Sequence, residues 1–151
     1  MRSGPSFGRC CMPDPIAIIA IVVLLLPQAY FLLASPSFLM VSLAIPSVTT
    51  LLRVLFSAHF KLLQLSGAAS ALAFALTGRF AVALVPASVG VLGAAAKGRF
   101  LTSFDAAAAI RDAGDSAGVV RLRQLHWAGM GFNLVLLTAM LVILTRAVPV
   151  P

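Results

Sequence analysis

The sequence predicts an all-α integral membrane protein, a helical bundle of four transmembrane helices with a short amphipathic helix on the membrane surface between the first two. Three observations predict it. Apolar residues fill 61% of the 151 positions and charged residues only 10%, against roughly a quarter charged in soluble domains, and the mean hydropathy is +1.07. The apolar residues gather in long runs, several of them near or above the roughly 20 residues that span a bilayer core. The 11 Lys and Arg stand between those runs, as cations do where they mark helix ends and cytoplasmic loops.

The chain opens with an arm, residues 1–15, that carries Arg2, Arg9 and a single acid. A basic, serine-bearing, acid-poor leader is reminiscent of an organelle-targeting segment, but it is expected to stay attached and lead into a signal-anchor helix. Cys10 and Cys11 are adjacent, so a disulfide between them would be strained. Juxtamembrane thiols can be acylated, but the favoured reading is two unmodified thiols beside the membrane.

A single membrane domain is expected over residues 16–146, followed by a short tail, 147–151. The first run, about 16–45, has no charge and is too long for one straight crossing. Pro27 and Pro36 allow a kink, most readily at "ASPS", Ala34 to Ser37. Over 47–57, Val48, Leu51, Leu52 and Leu55 recur at helical spacing while Thr49, Arg53 and Ser57 share another face, which gives the surface helix. Helices are expected over about 58–77 and 80–97, joined by "GRF" as a tight hairpin whose Gly, Ala and Ser allow close approach. A polar loop follows at 98–124, containing a short alanine-rich helix that stops near Gly114. The last crossing is expected over about 125–145.

Four crossings place Arg53, Lys61, Lys97, Arg99, Arg111, Arg121 and Arg123 at one membrane face. Arg2, Arg9, Arg79 and Arg146 fall at the other, so the positive-inside rule puts both termini outside. A true turn at Ser35 to Ser37 would give five crossings and a steeper bias.

Several stretches resemble small transmembrane-protein-205-like proteins. "LLASPSFLMVSLAIPSVTTLLRVLFSAHF" is similar to the family's paired prolines before a Leu-Phe and an aromatic pair, "GRFLTSFDAAAA" to the segment after its third helix, and "LHWAGMGFNL" to its last-helix signature. Ser57 and His59 depart from it, standing where a proline and a tyrosine are usual. The resemblance implies four crossings with a surface helix after the first, and it carries no chemistry.

His126 and His59 each open a predicted crossing near the same face. They are expected in the headgroup belt with Trp127, Arg121 and Arg123, since tryptophan prefers that interface. The alternative is a heme held by two axial imidazoles, His59 and His126. Asn133 lies about two turns inside the last crossing, where an unpaired amide is costly, and Gln64 is its expected partner across helices. Gly129 and Gly131 would permit close packing there.

No cofactor or metal site is otherwise indicated, because no carboxylate or thiol joins the histidines. The chain has no GxSxG, HExxH or phosphate-loop motif, and its acids are interleaved with arginines as on a solvated helix, which argues against an enzyme. Dispersed cations argue against nucleic-acid binding. The reading that follows is a non-catalytic structural or accessory subunit of an energy-transducing (respiratory or photosynthetic) complex in an organelle inner membrane or a bacterial plasma membrane. Its partners would be other membrane subunits and lipids. Transport or handling of a small molecule or lipid is the competing reading, with Asn133 lining the path.

Overall fold

The computed structural model describes residues 15–147, with side chains to residue 143; the arm with Cys10 and Cys11, and the tail, lie outside the described residues. Four long helices follow one another: α1, Pro15–Ala34; α2, Pro46–Leu76; α3, Phe80–Asp112; and α4, Ser116–Ala147. A 3-10 helix, Ser35–Leu39, follows α1. No strand occurs among the described residues.

Local chemistry sets each boundary. Pro36 has no N–H to continue the α1 ladder, so the chain tightens at the "ASPS" site, where Ser37 Oγ donates to the Ala34 carbonyl at 2.6 Å. Ile45 is extended, the conformation favoured before proline, and Pro46 opens α2, where its missing donor costs nothing. Gly78 (φ 74°) and Gly114 (φ 87°) take the left-handed conformation that ends α2 and α3. Beside them, Arg79 N–H reaches the Phe74 carbonyl (2.9 Å) and Asp115 N–H the Ile110 carbonyl (3.2 Å), satisfying the last turns. Asp115 then caps α4 by accepting from Ala117 N–H at 2.8 Å.

Three expected boundaries differ. The first helix, expected over about 16–45, ends at Ala34 because Pro36 breaks its ladder, and residues 40–45 beyond the 3-10 helix are not helical. The surface helix 47–57 and the crossing 58–77 are one unbroken helix, because nothing near Ser57 interrupts the backbone and one inward stripe continues through it: Thr49, Leu52, Phe56, His59 and Leu63 are all buried. Its first turns pack on protein, with Leu52 and Phe56 in a core shared with Phe104, Ala107 and Leu122. Arg53 on the outer face grips Asp105 of α3 through Nε–Oδ1 (2.5 Å) and Nη2–Oδ2 (2.8 Å). The polar loop 98–124 is likewise helical except at Ala113 to Asp115, since its charges occupy the outer faces while Phe104 and Ala107 turn inward. Arg111, with a side chain only 8% exposed, donates to the Leu43 carbonyl (3.3 Å) and to Thr49 Oγ1, and so ties this end of α3 to the segment before α2.

With 31, 33 and 32 residues, α2, α3 and α4 each run to about 46–50 Å at the α-helical rise. That exceeds a hydrocarbon core of about 30 Å. Among the described residues, three helical segments are long and apolar enough to cross a membrane: Pro15–Leu39, Phe80–Asp112 and Ser116–Ile143. The expected fourth is not among them, because α2 carries Arg53, His59, Lys61 and Gln64 in its first two thirds.

Glycine brings α2 and α3 together. A Cβ on Gly67 would stand 2.7 Å from the Pro86 carbonyl oxygen and 2.9 Å from Gly90 Cα, so the two backbones meet where no side chain intervenes.

Candidate functional site: a buried polar ladder

The inward residues of α4 recur at three- and four-residue steps, through Leu122, His126, Gly129, Asn133, Leu136 and Met140. On α1 the sequence is Ala17, Ala20, Leu24, Gln28 and Phe31, with Ser35 just beyond. Such spacing is the seam of a left-handed antiparallel packing. It places polar residues seven apart on each helix, Gln28 and Ser35 against His126 and Asn133.

These four residues are fully buried and form two rungs. Ser35 Oγ and His126 Nε2 are hydrogen-bonded at 2.8 Å. Asn133 Nδ2 donates to the Gln28 backbone carbonyl at 3.0 Å, and Gln28 Nε2 donates to Met140 Sδ at 2.8 Å. One turn of α2 adds His59, stacked on Phe31 with ring centroids 4.2 Å apart. The Pro27 carbonyl lies near that imidazole but is not aligned for a hydrogen bond. Lower on α2, Ser70 Oγ donates to the Ala20 carbonyl at 2.8 Å and adds a further tie to α1.

Asn133 therefore reaches another helix, but its partner is Gln28. Gln64 is half-buried and its carbonyl faces the α2–α3 contact opposite Gly90, which leaves it off the α1–α4 seam. His59 and His126 are buried at 5% and 0% exposure; they sit inside the bundle because α1 and the 3-10 helix cover them. Trp127 is 57% exposed, and Arg121 and Arg123 are exposed on the same first turns of α4. Gly129 lies under the Phe56 ring, as close packing requires, whereas Gly131 faces open space.

The histidines do not fit a bis-imidazole iron. Phe31 covers His59, Phe56 meets His126 edge-on at 6.0 Å, and the two phenyl rings touch at 5.1 Å, so aromatic rings bridge the imidazoles where a porphyrin would have to slide. The Nε2 atom of His126 is committed to Ser35. Among the described residues no group of three or more His, Cys, Asp and Glu side chains converges.

Hydrogen bonding is what this arrangement does. It also leaves polar atoms over: Gln28 Oε1, both nitrogens of His59, His126 Nδ1 and Asn133 Oδ1 have no hydrogen-bond partner among the described residues. In an apolar bundle such atoms cost free energy. Sequence reasoning passed over Gln28 and Ser35 because their run carries no charge. Their seven-residue interval, matched by that between His126 and Asn133, was the available signal.

No family model, no curated protein and no solved structure matches the chain.

Proposed function

We propose that the chain is a non-catalytic integral membrane protein with four crossings that serves as a structural or accessory subunit of a larger, energy-transducing membrane assembly. The distribution of polarity carries this reading. Mid-bundle polar side chains on α1 and α4 turn inward and engage a neighbouring helix, while long apolar side chains such as Ile19, Leu26, Leu33, Leu84, Val91, Leu134 and Val135 cover the outside.

In this proposal α2 is the fourth crossing. It is covered by α1 and α3, buries His59, Ser66 and Ser70, and presents Leu62, Leu65, Leu72 and Leu76 outward. Its polar residues are expensive in lipid only if they face it. Trp127, Arg121 and Arg123 then mark the headgroup belt at the cationic end. Membership of the transmembrane-protein-205-like group is part of this proposal and rests on the sequence resemblance of the "LHWAGMGFNL" stretch. A bacterial plasma membrane or an organelle inner membrane suits the charge distribution.

Native electrophoresis of mildly solubilised membranes tests the accessory role. The protein should migrate in a band well above its own 15.7 kDa together with other subunits. Migration alone under every mild detergent would overturn the proposal.

A further inference from the structure

A groove on the outside of the bundle follows α3 and α4 from the apolar section to the cationic end. Its inner part, about 330 Å³, is a slot walled by Phe60, Phe100 and Phe132 over a floor of Ala96 and Gly129. Its outer part, about 500 Å³, is lined by Ser103, Gln124 and Arg121 beside small alanines. Ser103 and Ala128 line both, so the two parts adjoin, and each is in the size range of ligand clefts. Arg99 stands at the rim of the aromatic slot. Neither Arg99 nor Arg121 has an acidic partner among the described residues, although Arg53 and Arg111 do.

Depth orders these features. Phe132 lies eleven residues beyond Arg121 on α4, about 16 Å at the helical rise, in the direction in which the helix becomes wholly apolar. The cationic end of the groove thus offers the Arg121 guanidinium and the Gln124 amide, the aromatic slot carries the Arg99 guanidinium at its rim, and the Ser103 hydroxyl stands where the two parts meet. Guanidinium forks match phosphate oxygens, and basic clefts between membrane helices at the cytoplasmic face receive anionic headgroups.

We propose that the α3–α4 groove is a binding site for an anionic diacyl phospholipid of the surrounding bilayer. The phosphodiester lies among Arg99, Arg121, Ser103 and Gln124, and an acyl chain lies in the slot of Phe60, Phe100 and Phe132. The two guanidinium groups without acidic partners, Arg99 and Arg121, select an anionic lipid over an uncharged helix of a second subunit as the occupant. This site rests on the membrane reading given above.

Trp127 supplies the reporter, being the single tryptophan of the chain and one helical turn from Gln124. The purified full-length protein is reconstituted into phosphatidylcholine vesicles containing a small, equal fraction of dibrominated phosphatidylglycerol or dibrominated phosphatidylcholine. The brominated phosphatidylglycerol should quench Trp127 preferentially. Arg99→Gln and Arg121→Gln should each reduce that preference by more than about tenfold, the factor expected for losing a hydrogen bond to a charged group, while Arg123→Gln, outside the groove, should lose no more than about fivefold, as for any basic side chain at an anionic surface. Ala128→Leu, which fills the groove without altering charge, should reduce the preference as well. Quenching of each variant by brominated phosphatidylcholine reports that it is folded and inserted. Equal quenching by the two lipids, or an Arg123→Gln loss as large as the others, would overturn the site alone. A lack of quenching by either lipid would overturn the membrane reading itself.

Discussion

Gly67→Ala is expected to destabilise the detergent-solubilised protein by about 1–3 kcal/mol, the usual cost of forcing a methyl group into a closed contact. The added Cβ would stand 2.7 Å from the Pro86 carbonyl oxygen and 2.9 Å from both Gly90 Cα and Gly90 N. All three are backbone atoms of α3, so no side chain can rotate away and α3 itself must move. Gly67→Leu should abolish the α2–α3 contact. The neighbouring Gly90→Ala is the discriminating control, since its Cβ would meet nothing nearer than the Gln64 carbonyl at 3.5 Å, an ordinary contact. Gly131→Ala enters open space in a helix interior and should be neutral or stabilising by roughly 0.5–1 kcal/mol. Thermal unfolding followed by circular dichroism separates the three. A Gly67→Ala protein as stable as Gly90→Ala would mean that α2 and α3 do not meet at this point.

Ser35→Ala should cost more than His126→Leu, although serine is the smaller residue. Removing the Ser35 hydroxyl strands Nε2 of a fully buried imidazole whose Nδ1 already has no partner, and a stranded buried polar group costs about 1–3 kcal/mol. Removing the imidazole instead leaves a hydroxyl that can turn back to a carbonyl of its own helix, as serines do in membranes. The double variant should then be close to His126→Leu alone, so the coupling free energy equals the Ser35→Ala loss, about 1–3 kcal/mol. Unfolding in a mixed-micelle titration measures all three. Additive losses would show that Ser35 and His126 do not interact.

How far the fold was legible follows from which residues speak locally. Pro36, Pro46, Gly78 and Gly114 announced breaks through backbone chemistry that acts within a few residues, and the breaks lie there. The continuity of α2 was hidden, because Arg53 and Thr49 look like the polar face of a surface helix until Asp105 and Arg111 of α3 arrive to meet them. The helical course of 98–124 was hidden in the same way: its charges were visible, but the inward row of Phe104, Ala107 and Leu122 needs partners on α2 to be recognised as core.

At the polar ladder, the sequence singled out Asn133 as needing a partner in another helix. Which partner depends on which helix lies opposite, and a single chain read residue by residue does not contain that information directly. Gln64 was plausible by depth alone; Gln28 is the residue that the antiparallel α1–α4 seam brings to 3.0 Å through its carbonyl. The histidines illustrate the converse. Beside tryptophan and arginine they look interfacial, yet the aromatic residues of α1 and α2 enclose them.

The central claim is that α2 crosses the membrane with α1, α3 and α4. Labelling with an impermeant maleimide in sealed vesicles tests it directly, using Thr77→Cys at the α2–α3 turn and Asp115→Cys at the α3–α4 turn in chains with Cys10 and Cys11 replaced by serine, and the native cysteines of the parent chain as the marker for the N-terminal side. With four crossings, Thr77→Cys reacts from the side of the N-terminus and Asp115→Cys only from the opposite side. Labelling of Thr77→Cys from the side opposite the N-terminus, with Asp115→Cys now on the N-terminal side, would leave three crossings and contradict the account.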